Sequence, residues 1–300
     1  MTNYIGRFAP SPTGPLHFGS LVAAVASYLD AKAHQGTWLL RMEDLDPPRE
    51  QAGAADRILQ SLEAHGLHWD QQLVYQSHRL EAYQQAMATL KYAIYPCNCI
   101  RQRIIGMQGR YDGHCRRHSP SASEAVAIRV MTDTLSKPQQ HQSEHFDDIF
   151  LGPQYSPLDH NGDFIIKRKD GLFAYQLAVC VDDAYQGVTH VIRGHDLLDS
   201  TSRQRYLLSL FKAKLPEYGH TPLALGKDGS KLSKQAKARP LEDTQAASNI
   251  MAALHFLGCP SLPVDINSTS CEELLSWGVQ VWSRQSVPTV ASIAPYLRDK

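Results

Sequence analysis

Residues 4–42 read YIGRFAPSPTGPLHFGSLVAAVASYLDAKAHQGTWLLRM, and their order decides the fold. Tyr4 to Phe8 is a short apolar run, the length of a buried strand. A loop rich in Pro, Ser and Gly follows. In the next segment, Leu16 to Gln35, the apolar residues Leu21, Val22, Val25, Tyr28 and Leu29 recur at three- and four-residue intervals. That interval is the period of one buried helix face. Gly36 ends the helix, and Trp38 to Met42 is the next apolar run. Strand, loop, helix, strand implies a parallel sheet with a crossover, the start of a doubly wound α/β fold. In such folds the ligand site lies at the carboxyl ends of the strands.

Outward from this unit, Pro47 and Pro48 break the chain before helical stretches at about 52–65 and 78–92. From about Tyr95 to Gly162, cysteines, arginines, histidines and turn residues replace clean periodicity, which marks an inserted subdomain. Phe164 to Lys167, Leu172 to Val181 and Val188 to Arg193 are apolar or alternating again, as if the parallel sheet resumed. The expected division is 1–94 and 163–240 for the two halves of a Rossmann-like domain, 95–162 for the insertion and 241–300 for a helical tail.

The chain of 300 residues, 43% hydrophobic and 20% charged, has the composition of a globular enzyme. It has no apolar run near the roughly 20 residues that cross a bilayer, and no secretory signal is visible, so a cytoplasmic location is expected. Thirty basic and thirty acidic residues cancel, so any nucleic-acid contact must use local patches. Arg101, Arg103, Arg110, Arg116 and Arg117 form one; Lys227, Lys231, Lys234 and Lys237 form another. No protein partner is implied.

The loop PSPTGPLHFGS, residues 10–20, opens a helix directly after a strand. The free N–H groups of such a terminus favour an anion, His17 can add a hydrogen bond, and Gly19 allows close backbone approach. Taken alone, His17 suits a capping or core histidine equally well. Far downstream, KLSKQ at 231–235 follows a Gly-rich stretch and supplies lysines fit to stabilise charge on a triphosphate. Arg7, at the end of the first strand, offers a carboxylate the bidentate fork that lysine lacks. Glu43, past the end of the second strand, can hold an ammonium group; the bland alternative is that Arg7 and Glu43 only pair with each other.

HFGS at 17–20 and KLSKQ at 231–235 resemble the two signatures of class I aminoacyl-tRNA synthetases, HIGH and KMSKS. RFAPSPTG with LHFG, LRMEDLD at 40–46, FAYQLAVCVDD at 173–183 and THVIRG at 189–194 resemble the bacterial glutamyl-tRNA synthetases within that class. Ser20 and Gln235 depart from the signatures and leave His17 and Lys234 in place. The resemblance spans about residues 4–260. It implies a Rossmann-like catalytic domain and tRNA-independent activation of L-glutamate by ATP, with Mg2+ expected beside the nucleotide. It further implies His17, Lys231 and Lys234 as catalytic groups, with His17, Gly19 and Lys234 at ATP. The glutamate pocket would be Arg7, Phe8, Ala9, Pro10, Ser11, Glu43, Tyr175 and Arg193. Glutaminyl relatives typically carry an acidic residue where Ser11 stands, so glutamate is favoured.

Cys97, Cys99 and Cys115 stand within 19 residues of the insertion. Thiolates at this spacing suit zinc, and a small subdomain with little apolar content needs a staple. The fourth ligand is open among Tyr111, His114 and His118. The family resemblance implies Tyr111. Only 65 residues follow KLSKQ, too few for the anticodon-reading domains of a full glutamyl-tRNA synthetase. Shortening and cysteine pattern together resemble a family branch that esterifies glutamate to queuosine, the modified wobble nucleoside of tRNA(Asp). That branch implies the anticodon arm of tRNA(Asp) as partner. The alternatives are a shortened conventional synthetase charging a 3' end, or a non-catalytic zinc-containing RNA-binding module.

Overall fold

The computed structural model describes residues 3–107, 109–121, 123–160, 162–225, 239–262 and 270–293. The opening unit forms as its sequence order implies: β1 (Ile5–Phe8), α1 (Phe18–Ala33) and β2 (Thr37–Met42), with β1 and β2 parallel. Leu21, Val22, Val25 and Leu29 on α1 are fully buried, each stabilising by roughly 1.5–3 kcal/mol relative to exposure. Gly36 turns the chain because a Cβ there would stand 2.6 Å from the Tyr4 side chain. The helices expected next are α2 (Ala54–Ala64) and α3 (Leu80–Thr89), with β3 (Val74–Tyr75) between them beside β2.

Beyond α3 come β4 (Ile94–Cys97), the short helices α4 (Arg101–Gly106) and α5 (His114–Arg117), and β5 (Ala127–Val130). Then follow α6 (Lys137–Glu144), β6 (His145–Asp148), β7 (Gly152–Tyr155), β8 (Phe164–Lys167) and α7 (Tyr175–Tyr185). The middle of the chain closes with β9 (His190–Gly194), α8 (Thr201–Leu210) and β10 (Glu217–Thr221). Two sequence expectations are corrected here. β8 does not resume the parallel sheet: it pairs antiparallel with β5, which pairs antiparallel with β4. The 172–181 run is mostly helix α7. Conversely β6, from within the stretch read as an insertion, lies parallel to β10.

β10 is parallel to β9, and the Thr189 N–H donates to Ile5 O at 2.9 Å, setting β9 beside β1. The strands therefore run β3, β2, β1, β9, β10, β6, with β7 antiparallel at the edge. The order reverses between β1 and β9, which opens a crevice at their carboxyl ends. After β11 (Leu223–Ala224), the helices α9 (Ala246–Phe256) and α10 (Cys271–Val281) pack their Ile250, Leu254 and Leu274 into the α1 core, and β12 (Ser292–Ile293) pairs with β11. Buried Asp30 of α1 fastens this tail, accepting from Arg284 at 2.8 and 2.9 Å, Trp282 at 2.9 Å and the Tyr4 hydroxyl at 2.6 Å. No helix among the described residues is long and apolar enough to cross a membrane.

Candidate active site and metal centre

The crevice between β1 and β9 collects most of the residues singled out from the sequence. Arg7 is 4% exposed and donates to both oxygens of Asp183, at 3.3 and 3.4 Å. Arg41 reaches the same carboxylate at 2.8 Å and Glu43 at 3.3 Å. Arg7 and Glu43 thus do not pair with each other, and the bland alternative is set aside. Burial opposes the charge on Asp183, but Arg7 and Arg41 outweigh it and hold its carboxyl below the usual range. Glu43 goes the other way: burial lifts it above that range, against the pull of Arg41 and Arg7. The distances leave Arg7 loosely held, because charge-assisted pairs usually close to about 2.7–2.9 Å.

Across the crevice, Arg193 near the end of β9 is 4% exposed and donates to five groups. These are His220 Nε2 at 3.0 Å, Gln204 at 2.7 Å, Thr201 at 2.9 Å, Leu197 O at 3.1 Å and the Tyr175 hydroxyl at 3.5 Å. Burial raises the Tyr175 phenol, and the charges of Arg193, Glu43 and Arg7 act on it in that order, so all four side chains lie within electrostatic reach. Phe8 turns its ring into the core, stacked on Trp38 at 6.5 Å. Pro10 is buried and its carbonyl accepts from the Glu43 N–H at 2.9 Å, which ties the first loop to the end of β2; Ala9 is half-buried and Ser11 exposed.

His17 does cap α1: its Nδ1 accepts from the Ser20 N–H at 3.3 Å, and the Ser20 hydroxyl lies 3.0 Å from Nε2. The ring is thereby held at the positive end of the helix dipole, one residue before the first turn that contains Gly19. Lys231 and Lys234, with Lys227 and Lys237, lie outside the described residues. Their downstream flank is described, and it returns to His17: Pro240 bridges His17, and the Leu241 N–H donates to Leu16 O at 2.9 Å.

In the β4–α5 knuckle the Cys97, Cys99 and Cys115 sulfurs all lie within 4.8 Å of one another. Cys99 and Cys115 are 3.4 Å apart, and the Tyr111 oxygen stands 3.5 Å from Cys97 and 3.8 Å from Cys99. A tetrahedron with zinc–sulfur bonds near 2.3 Å has edges of about 3.8 Å, so the three sulfurs fit such an ion, with the Tyr111 oxygen beside them. His114 and His118 do not join them; they stack on each other at 4.5 Å. Gly162 makes room for Tyr111, since a Cβ there would meet Tyr111 O at 2.3 Å. Arg129, 6% exposed, donates to Cys97 Sγ at 3.2 Å and lies 3.9 Å over the Tyr111 ring. Burial opposes ionisation of Cys97, yet hydrogen bonds from Tyr111 and Arg129 bring its thiol down to about 7. Burial and Cys115 push Cys99 up to about 11. Three sulfurs this close could hold a metal ion, which would favour their ionised form.

Beside the knuckle is a cleft of about 520 Å³ lined in part by Arg110, Arg116, Arg117 and Lys137. Much of the arginine patch is spent internally: Arg103 on Asp112 at 2.6 Å, Arg110 on Asp159 at 3.3 Å, Arg116 on Asp133 at 2.7 Å and on Asp163. Arg101 and Arg117 have no carboxylate partner among the described residues. The sequence reading missed Arg41, Asp183, Arg129, Asp148, His220 and Gln204. Arg41 and Asp183 sit inside the quoted motifs. The other four carry no local signal.

The profile described as tRNA synthetases class I (E and Q), catalytic domain, matches residues 5–251. A relative from Vibrio cholerae named glutamyl-Q tRNA(Asp) synthetase is 49% identical over 296 residues, covering 98% of this chain and 95% of its own length. One of the same name from Serratia proteamaculans is 49% identical over 294 residues, covering 97% and 94%. Among solved structures, the glutamate-tRNA synthetase of Elizabethkingia anophelis superposes with a TM-score of 0.77 at 22% identity, covering 97% of this chain and 68% of that one. That likeness fixes the fold as the class I synthetase fold. A match through residue 251 and relatives near half-identity along nearly the whole length place the chain, a ligase, in the class I tRNA synthetase (E and Q) family.

Proposed function

We propose that the chain activates L-glutamate with ATP, without tRNA, and transfers it to queuosine at the wobble position of tRNA(Asp). The observation that carries this reading is the set Arg7, Glu43 and Arg193 at the carboxyl ends of β1, β2 and β9 beside the sheet's reversal point, with Tyr175, the first residue of α7, 3.5 Å from Arg193. In it, loosely held Arg7 takes the substrate side-chain carboxylate, with Arg193 and Tyr175 completing the pocket. Glu43, its carboxyl lifted above the usual range by burial, is the acid offered to the substrate ammonium, whose charge would pull it back down. Ala9, Pro10 and Ser11 supply the pocket wall, with Phe8 contributing its backbone while its ring packs in the core. The substrate α-carboxylate attacks the α-phosphorus of ATP and pyrophosphate leaves; His17, Gly19, Lys231, Lys234 and Mg2+ would stabilise the charge that builds on the phosphates. A cyclopentene hydroxyl of queuosine then attacks the acyl carbon and AMP leaves. Relatives bearing the glutamyl-Q tRNA(Asp) synthetase name support this acceptor. Zn2+ held by Cys97, Cys99, Cys115 and Tyr111 staples the knuckle and has no step in the chemistry. ATP/pyrophosphate exchange without tRNA tests the first half. Glutamate should support it and glutamine should not, because a site built around a charged hydrogen bond rejects the neutral analogue strongly; equal exchange with both amino acids contradicts the pocket.

A further inference from the structure

Three adjacent strands bring Asp148 of β6, His220 of β10 and Arg193 of β9 into one line, and neither Asp148 nor His220 has a part in the activation chemistry above. Both of their side chains are completely buried. Asp148 Oδ1 accepts three backbone N–H groups, from Phe150 and Leu151 at 3.0 Å each and from His220 at 3.2 Å. Its Oδ2 accepts from His220 Nδ1 at 2.5 Å. On the far side of the ring, Arg193 Nε donates to His220 Nε2 at 3.0 Å. A guanidinium can only donate. Nε2 must therefore be bare, and the ring is the neutral tautomer with its proton on Nδ1. Burial holds His220 down to about 4, in keeping with a ring that stays neutral.

We infer that Asp148 and His220 are positioning residues: the carboxylate selects the histidine tautomer, and the bare Nε2 anchors the Nε edge of Arg193 so that its other edge faces the amino-acid pocket. Gln204, Thr201 and Leu197 O fix the rest of the guanidinium. The Tyr175 contact, at 3.5 Å the longest of the five, is the one an incoming carboxylate replaces. Rotation of Arg193 would otherwise cost the pocket its fork. The inference rests on the glutamate reading proposed above, which gives Arg193 its substrate.

The sharpest variant is Asp148→Asn, because the surroundings dictate how the amide sits. Three N–H donors converge on the Oδ1 position, so the amide oxygen stays there and its NH2 turns to His220 Nδ1. The ring must then shift its proton to Nε2, where it confronts the Arg193 N–H. The reading therefore has two parts, measured on the full chain. Long-range 1H–15N spectra should show Nδ1-protonated His220 in the wild type and Nε2-protonated His220 in the variant. The KM for glutamate in pyrophosphate exchange should rise about tenfold or more, with kcat changed much less. His220→Gln, whose side-chain oxygen can accept from Arg193, should keep KM within about threefold, whereas His220→Leu, with no acceptor, should not. These two also serve if Asp148→Asn does not fold. An Nε2-protonated ring in the wild type overturns the relay, as does an unchanged KM in both Asp148→Asn and His220→Leu. Should the wild type exchange no glutamate at all, the functional reading fails instead, and the tautomer spectra still decide the relay.

Discussion

At the strand ends, Arg7 and Arg41 share Asp183, Arg41 also holds Glu43, and Arg193 is held by five partners. In the knuckle, three thiols and a phenol converge with a single guanidinium, Arg129, beside them. The first region gives each guanidinium acceptors from its own chain, carboxylates for Arg7 and Arg41 and neutral groups for Arg193, so its geometry exists before any ligand arrives. The second brings like donors together. Ionising them together is unfavourable without an ion, and the opposed directions at Cys97 and Cys99 express that conflict. A pre-paired pocket loses function when one partner is removed, whereas a donor cluster loses its fold when the ion is removed.

The largest expected effect follows from the knuckle. Protein made with zinc present should carry one zinc per chain by elemental analysis. Cys97→Ser, Cys99→Ser or Cys115→Ser should strip it, since structural zinc contributes on the order of 10 kcal/mol to the folding of small units. Hydrogen exchange should rise from β4 to α5 while the α1 core stays protected. A zinc-free protein with an unchanged knuckle would erase the contrast between the two regions.

Next in size is the pocket. Arg7→Ala should cost roughly 2–5 kcal/mol of transition-state binding for glutamate in pyrophosphate exchange, with the fold intact because Arg41 still neutralises Asp183. Full exchange activity in that variant would mean that Arg7 serves Asp183 alone.

A third expectation concerns acid stability of the paired region. Folding pulls His220 from 6.5 to about 4. Between those values the unfolded chain binds a proton that the folded chain refuses, so stability falls as pH drops through that window. It is fully present above about 6.5, and the total loss is about 3 kcal/mol. Asp30, Asp148 and Asp183 have lowered values and lose their contribution only at lower pH. His65 and His190, also lowered by burial, add loss of the same sign. Urea midpoints at pH 7 and 4.5 should therefore separate more in the wild type than in His220→Gln; equal separations contradict the assignment. Smallest of all, Arg103→Gln should change stability by less than about 1 kcal/mol, because its pair with Asp112 is exposed at both ends.

The same contrast explains what the sequence made readable. α1 follows from its three- and four-residue apolar spacing, and β1 and β2 from unbroken apolar runs, because both strands are buried on both faces. β6 and β8 are four residues each, too short for a period, and distant partners decide which sheet they join. Arg7 and Glu43 stand out at strand ends, and Cys97, Cys99 and Cys115 by spacing within one knuckle, with Tyr111 singled out from His114 and His118 by the family resemblance alone. Asp148 and His220 are 72 positions apart and meet only because β6 and β10 are neighbours in the sheet. Arg129 is likewise indistinguishable, in sequence, from the surface arginines around it. The pairings that pre-set a site are long-range, and spacing within a motif carries no trace of them.

If activated glutamate goes to the wobble nucleoside, a label on the amino acid can be followed to that position. Radiolabelled glutamate, ATP and the protein are incubated with tRNA(Asp) bearing either queuosine or guanosine at that position, and the label is followed before and after removal of the 3'-terminal nucleotides. The account predicts label only on the queuosine-containing tRNA, retained after trimming. Label on both tRNAs, released with the 3' end, would contradict it and make this chain a shortened conventional synthetase.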